Sequence, residues 1–410
     1  MSPILSALLR NKTGALLVAV QVAISMAILA NALHIVNVRQ AVAARPSGIA
    51  DESVVFNITS RYLTRESAEY DRAVQDRELA LLRAIPGVAA VAITSQMPMS
   101  NSGSTNSVSL DRKQVRESAN TAGYRANESL VATWQLKLVE GRDFTAADVL
   151  TIDTQVSKEY PKTVIITKAL ATKLWPDQAS VVGKTVYFGV GESARPTQVV
   201  GVIERLQTSS AQTGEEGELS AIMPYRPVGG IPGAMYTVRT APGERDRIMK
   251  EAEAAMGKSA AVPVIVESKT TETDRKERYR ADMALSWTLI TVSILLLVIT
   301  ASGIVGMASL WVTQRRKQIG VRRALGARRA DILRYFITEN VMITAAGVAS
   351  GVLLAIGLNQ LLVLKLEMTK LPLPYLLTGS AIFFALGIIA VYGPAWRAAS
   401  ISPALATRSA

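Results

Sequence analysis

Two sets of residues in this 410-residue chain have the chemistry to act. Eight basic side chains crowd between Thr313 and Asn340 (Arg315, Arg316, Lys317, Arg322, Arg323, Arg328, Arg329, Arg334), against only Asp331 and Glu339. His34 is the single histidine, and there is no cysteine. A run of guanidinium groups between two long apolar segments fits a short cytoplasmic connection between membrane spans, because basic loops are retained on that side. Its apolar side, Ile319, Leu325, Ile332, Leu333 and Phe336, makes the stretch amphipathic and helical, with interruptions at Gly320 and Gly326.

Other chemistries fail on composition or spacing. The formal charge of +12 could point to nucleic acid, but residues 38–282 carry 31 Lys/Arg against 30 Asp/Glu, so the excess belongs to the flanking parts. Without cysteine there are no disulfides, thiolate nucleophiles or thiolate metal sites. No G-x-x-x-x-G-K-[ST] phosphate loop exists, and the glycine cluster from Gly189 lacks the lysine. There is no G-x-S-x-G and no paired histidine for hydrolysis. His34 has no carboxylate neighbour in sequence and reads as an ordinary interfacial side chain. Ion-driven carriers place ionisable groups inside the membrane. Here only Glu339, at the edge of a span, qualifies, and it reads as the structural partner of Arg334 or Arg329.

The elements that must position these residues are mostly apolar. Hydrophobic residues make up 49% of the chain although aromatics are only 5%, the balance of a protein part membrane and part aqueous. Segments 13–38, 280–312, 341–364 and 373–392 are long enough to cross ~30 Å of hydrocarbon as helices. The first exceeds a signal-peptide core, and "AVAA" at 41–44 is its only passable cleavage site, so it reads as a retained span. Residues 1–12, 313–340 and 393–410 are then cytoplasmic, and 39–279 and the link 365–372 lie outside. Within the spans, Gln21 and Ser25 share one face at i,i+4, and Gly347 and Gly351 form a small-residue pair; both pairs favour helix packing over lipid. Trp287 and Trp311 read as interfacial anchors of the second span.

Residues 39–279 alternate short strands and helices, as small α/β sandwiches do. A helix is predicted over Ser67–Ile85, then a strand at "VAAVAIT", with the Ser/Asn-rich "MPMSNSGSTNSVSL" read as an exposed linker. "TVIIT" feeds a helix at 168–175; "VVGKTVYF" and "PTQVVGVIERL" are strands, and "AIMPYRP" with "MYTVRT" a hairpin. A helix in "GERDRIMKEAEAAMG" turns Ile248, Ala252 and Ala255 inward. The charged segment 269–284 has no Gly or Pro and can run as a helix into the second span. The fold class is an α-helical membrane protein with four transmembrane helices and a large α/β domain of two small subdomains between helices 1 and 2.

"RRKQIGVRRALGARRADILRYFITEN" at 315–340, "GVASG" at 347–351 and "YGPAWRAASISPALATR" at 392–408 resemble the FtsX-like permeases of ATP-binding cassette transporters, specifically the MacB type; "VVGKTVYF" followed by "TQVVGVI" is similar to the periplasmic core of that type. The resemblance implies a non-catalytic inner-membrane permease subunit that binds no cofactor itself. It also implies a second permease copy or paralogue and a cytoplasmic ATPase dimer that holds ATP and Mg. The family's short cytoplasmic helix maps onto Leu325, Gly326, Arg328, Arg329, Asp331, Ile332, Leu333 and Phe336 as ATPase-coupling residues. ATP hydrolysis there moves the periplasmic domains, for efflux of a drug or peptide or, alternatively, for lipoprotein release or control of cell-wall hydrolases. A periplasmic adaptor and an outer-membrane channel are further partners the resemblance allows. Two departures stand out: the MacB protein carries an N-terminal ATPase, so here a separate polypeptide is expected to supply it, and Gln318 stands where the family often has Glu.

Overall fold

The computed structural model describes residues 12–63, 67–211, 214–229, 233–366 and 369–400. The basic residues up to 11 and the tail from 401, with Arg10 and Arg408, lie outside them. The chain divides into two compact units, Ala41–Ala281 and the flanking segments Met1–Gln40 with Asp282–Ala410.

In the α/β unit, alternation of apolar residues builds a four-stranded antiparallel sheet in the order β13 (Val264–Thr270), β1 (Val55–Tyr62), β12 (Ala234–Thr240) and β2 (Val88–Thr94). Phe56, Ile58, Val91, Ile93, Tyr236 and Val238 point to one face. There they meet Leu79 and Leu82 of helix α1 (Ala68–Ala84) and Ile248, Ala252 and Met256 of a second helix, Arg245–Ser259. Ser67 caps α1 by accepting the Tyr70 N–H at 3.2 Å. Met256, rather than the Ala255 expected from sequence, completes the inward stripe of the second helix: its side chain reaches the core from i+4 of Ala252, where an alanine would fall short.

The opposite face of this sheet, through Val55, Ala92 and Met235, joins a second core around Tyr124, Trp134 and Ile165. That core is shared with a seven-stranded sheet ordered β5 (Leu138–Gly141), β9 (Arg195–Ile203), β7 (Thr163–Thr167), β10 (Ser220–Met223), β4 (Ala119–Arg125), β3 (Thr105–Ser109) and β8 (Thr185–Phe188). β8 also pairs with β9, which closes the sheet toward a barrel and covers the β8 edge, leaving β5 at the rim. Trp134 sits edge-on to Tyr124, and its Nε1–H donates to Thr237 Oγ1 at 2.7 Å, tying the two sheets together. The hairpin expected from "AIMPYRP" and "MYTVRT" does not form. β10 joins the barrel, β11 (Tyr225–Val228) pairs in parallel with β6 (Leu150–Asp153), and β12 enters the other sheet. Three neighbouring apolar runs thus serve three sheets, a choice set by non-local pairing that local pattern does not encode.

Among the described residues four helices are long and apolar enough to cross a bilayer: Lys12–Ala43, Thr271–Gln314, whose first part to Ala281 belongs to the α/β unit, Arg329–Leu366 and Leu373–Ala399. The second begins directly after β13 and runs unbroken for 44 residues. Small residues let the third span approach the first. A Cβ at Gly347 would lie 2.8 Å from the Ala19 carbonyl oxygen, and one at Gly351 would lie 2.8 Å from Met26 Cβ. Some polar groups inside the bundle bond across it or back to their own helices, the arrangement hydrocarbon favours. Asn31 Nδ2 donates to the Ala27 and Ala355 carbonyls at 2.9 and 3.1 Å, and Ser25 Oγ and Thr300 Oγ1 are 3.0 Å apart. Trp287 is exposed as an anchor should be, whereas Trp311 is buried against the first span beside Gly14, a packing role in place of the expected interfacial one.

Candidate coupling site

The connection between the second and third spans is short and built by caps. The second span ends at Gln314, a helix runs Arg316–Ala324, and the third helix starts at Arg329. Gly326 closes the short helix in the left-handed region at φ 95°, which an L side chain adopts only under strain. Around it Leu325 N–H donates to Val321 O at 3.0 Å and Ala327 N–H to Arg322 O at 3.0 Å. Asp331 then reaches back, its Oδ2 accepting the Arg328 N–H at 2.9 Å, which satisfies an orphan donor at the start of the third helix and places a negative charge at its positive end. Gly320, read as an interruption, instead lies buried within the short helix.

The connection has two faces. Ile319, Ile332 and Phe336 are buried in the bundle core, with Leu333 half-buried beside them. Leu325, at 83% exposure, stands in the open, as do Gly326, Arg328, Arg329 and Asp331. The eight residues assigned to coupling from the sequence are therefore split. The apolar trio Ile332, Leu333 and Phe336 seats the helix, and the turn 325–329 offers a surface.

One ion pair anchors that seat. Arg315 grips Glu339 with both terminal nitrogens, at 2.7 and 3.0 Å, and Glu339 is 1% exposed. The Arg315 guanidinium also lies 3.4 Å from Tyr335 OH, and Arg322 stacks over the Tyr335 ring at 5.2 Å. Sequence reading named Arg334 or Arg329 as the partner, and neither can serve. Five residues along a helix turn Arg334 about 140° away from Glu339, and ten residues put Arg329 about 15 Å down the axis. Arg315 was missed because its pairing joins the cap of the short helix to the third helix across 24 residues, which no intrahelical spacing rule reports.

The helix-packing residues fall on two seams of the first span. Gly347 and Gly351 of the third span meet Ala19, Val22, Ala23 and Met26; toward the second span, Ser25 bonds Thr300 and Gln21 lies over Gly303, where an added Cβ would be 2.6 Å from Gln21 Oε1. His34 is 3% exposed, with Nε2 3.1 Å from Thr369 Oγ1 and its ring packed on Tyr375 at 5.1 Å. Among the described residues no cluster of three or more His, Asp or Glu could hold a metal.

A four-span bundle with an α/β domain inserted after its first span and a short basic helix after its second defines a class of membrane permease. The chain belongs to the MacB-like family of FtsX-type permeases: residues 17–255 match the MacB-like periplasmic core domain and residues 290–403 the FtsX-like permease C-terminal family. It is 27% identical over 310 residues to the macrolide export ATP-binding/permease protein MacB of Agrobacterium fabrum, covering 73% of this chain and 45% of that one. Against the protein of the same description from Bradyrhizobium diazoefficiens it is 29% identical, over 66% of this chain and 40% of the other. A pyoverdine export ATP-binding/permease protein, PvdT of Pseudomonas syringae, is 33% identical over 32% of this chain and 20% of its own length. The chain thus spans less than half the length of these relatives. Family and spans together make it a multi-pass inner-membrane protein with its α/β unit in the periplasm, which puts the connection at 315–328 on the cytoplasmic face.

Proposed function

We propose that this chain is the non-catalytic permease subunit of a MacB-like exporter, working as a pair of permease copies with a separate cytoplasmic ABC ATPase that binds ATP and Mg. The observation that carries the proposal is the two-faced connection. An element held from below by Ile332, Phe336 and the Arg315–Glu339 pair, with Leu325, Arg328 and Arg329 turned outward, can take a push without absorbing it. Both arginines bring donors suited to carboxylates, and Leu325 brings an apolar contact suited to a pocket on a partner. The unbroken helix Thr271–Gln314 is a continuous element between connection and periplasmic strand β13. The names of the relatives, macrolide export and pyoverdine export, support efflux of a small compound as the task.

The test is copurification of the full chain with a cytoplasmic ABC ATPase from the same genome, followed by ATPase assay of the reconstituted pair. Replacing Leu325, Arg328 and Arg329 together by alanine should cut association by about tenfold or more, since a few outward anchors dominate such contacts. Unchanged association and hydrolysis in that triple variant would remove the coupling assignment.

A further inference from the structure

The loop at 97–104, whose composition reads as an exposed linker, is exposed at Asn101, Ser102 and Gly103 but buried over 97–99, and forms a built wall. Met97 and Met99 are fully buried, and Met99 and Asn101 both hold positive φ, 60° and 56°, an arrangement that costs energy for residues other than glycine. Surrounding groups enforce it. Met99 N–H donates to Thr208 O at 3.1 Å, Asn101 N–H to Ser209 O at 2.9 Å, and Ser104 N–H to the buried Gln96 Oε1 at 2.7 Å. Gly103 packs so tightly there that a Cβ would stand 2.1 Å from the same Gln96 oxygen.

This wall borders a cleft of about 450 Å³ inside the α/β unit, whose other sides are β1, the end of β2, Arg125 of β4 and the start of β12. Arg61 and Arg125 line the cleft, and among the described residues no Asp or Glu does so. Among the described residues a single one of the five side-chain N–H donors of Arg125 is bonded, Nη2 to Ser104 Oγ at 3.1 Å; the guanidinium also lies over the Tyr225 ring at 5.9 Å. Among the described residues Arg61 and Arg125 have no carboxylate partner. Glu78, which bonds the lining residue Ser60, has its oxygens taken by the Ser60, Tyr62 and Tyr236 hydroxyls, and Asp76 pairs with Arg226. Thr59 and Ser102, with Gln75, Thr94 and Ser95, add to the polar lining.

We propose that this cleft binds a small anionic molecule through its carboxylate or phosphate group, with Arg125 as the bidentate partner and Arg61 as the second charge. A planar guanidinium with free donors beside hydroxyls, in a cleft of ligand size whose described lining holds no competing acid, is the chemistry that recognises such a group. The site is distinct from the cytoplasmic connection, and it stands whether or not the coupling reading does.

The test is calorimetric titration of the full chain in detergent with citrate, with inorganic phosphate and, as an uncharged control, with glycerol. Saturable binding of either anion, absent for glycerol and weakened about tenfold or more by Arg125→Ala, is the expected result. Arg125→Lys should lose part of the affinity, because an ammonium keeps the charge but not the fork. Should Arg125→Ala melt early, Ser102→Glu at the exposed rim supplies a competing carboxylate and should give the same loss in a folded chain. Preference for citrate or for phosphate decides between the two anionic groups. Absence of binding by both anions, or affinity unchanged in both Arg125→Ala and Ser102→Glu, overturns the proposal.

Discussion

Glu78 in the periplasmic unit and Glu339 in the membrane unit are equally hidden, each 1% exposed, yet their charges are held by opposite means. Glu78 projects from α1 into hydroxyls from separate strands. Ser60 Oγ donates at 2.9 Å, Tyr236 OH at 2.6 Å, and Tyr62 OH closes a third short bond. Burial, and then the carboxylate itself, pushes both phenols well above their ordinary range, so they stay protonated and remain donors. Among the described residues Glu339 has no such cage, and a single arginine supplies its donors. The difference follows from secondary structure. Adjacent strands aim side chains at a common point, whereas packed helices have used their backbone donors internally. A carboxylate between helices needs a long side chain that brings its own donors. Many weak partners should therefore tolerate a loss that one strong partner cannot.

The largest expected effect tests that contrast directly. Arg315→Met leaves Glu339 buried and unpaired and should cost about 3–5 kcal/mol, while Tyr236→Phe removes one of three hydroxyls and should cost about 1–3 kcal/mol. Unfolding of the full chain in detergent measures both. The double variant Arg315→Met/Glu339→Leu should recover most of the loss, since the stranded charge is gone. Equal costs for the two single variants would end the comparison between caged and paired carboxylates.

Glycines sharpen it at the next level. Gly351→Ala forces a Cβ against Met26 Cβ at 2.8 Å and the Ala23 carbonyl at 2.9 Å, so overpacking should destabilise the bundle by about 1–3 kcal/mol. Gly257→Ala, in the helix Arg245–Ser259, meets nothing within 4 Å and should stabilise by up to about 1 kcal/mol through helix propensity. The same substitution should thus change sign between the two units, and thermal melts of both variants report it.

A third buried acid gives a pH dependence. Asp274 is pushed up to about 6, chiefly by burial; Lys269 and the Asn57 Nδ2 donor at 2.9 Å oppose the rise, and Glu277 adds to it. The folded chain therefore holds this proton more tightly than the unfolded chain does. Stability from this group is full below the ordinary carboxylate range and is lost as pH rises to about 6, beyond which it is flat. The drop should be on the order of 1–2 kcal/mol after allowance for screening. Melting temperature followed across that window should fall in the natural chain relative to Asp274→Asn, which carries no such proton; parallel curves would refute the assignment.

Much of this arrangement is legible in the sequence, and what is not shares one cause. Hydropathy and basic-residue placement give the four spans, because lipid imposes a length and loops impose a sign. Period-2 and period-3.6 patterns give β2, β7, α1 and the helix Arg245–Ser259, since each is decided within its own window. Pairings between distant segments are not readable that way: the Arg315–Glu339 bond, the dispersal of β10, β11 and β12 into three sheets, and the rigid 97–104 wall. That wall is polar in sequence because its partners are backbone groups of Thr208 and Ser209, more than a hundred residues away. Within the connection, amphipathicity marks an apolar stripe, but Leu325 belongs to it by sequence and stands in the open in the structure. It lies at the end of the short helix, one residue before Gly326 turns the chain away.

That exposure frames the smallest stability effect and the most pointed functional one. Leu325, Arg328 and Arg329 touch no core, and Arg328 uses only its backbone N–H in the cap with Asp331. Alanine at these three positions should therefore change stability by no more than about 0.5 kcal/mol each, the range of ordinary surface substitutions. Asp331→Ala, by contrast, removes the acceptor that starts the third helix and should cost about 1 kcal/mol. Melts of the four single variants separate surface from scaffold. If Leu325→Ala destabilises as much as Asp331→Ala, the turn is part of the seat and its two-faced character is lost. If it leaves the melt unchanged while ATPase association falls, the exposed leucine is retained for a partner, because an 83% exposed apolar side chain contributes little to the fold that displays it.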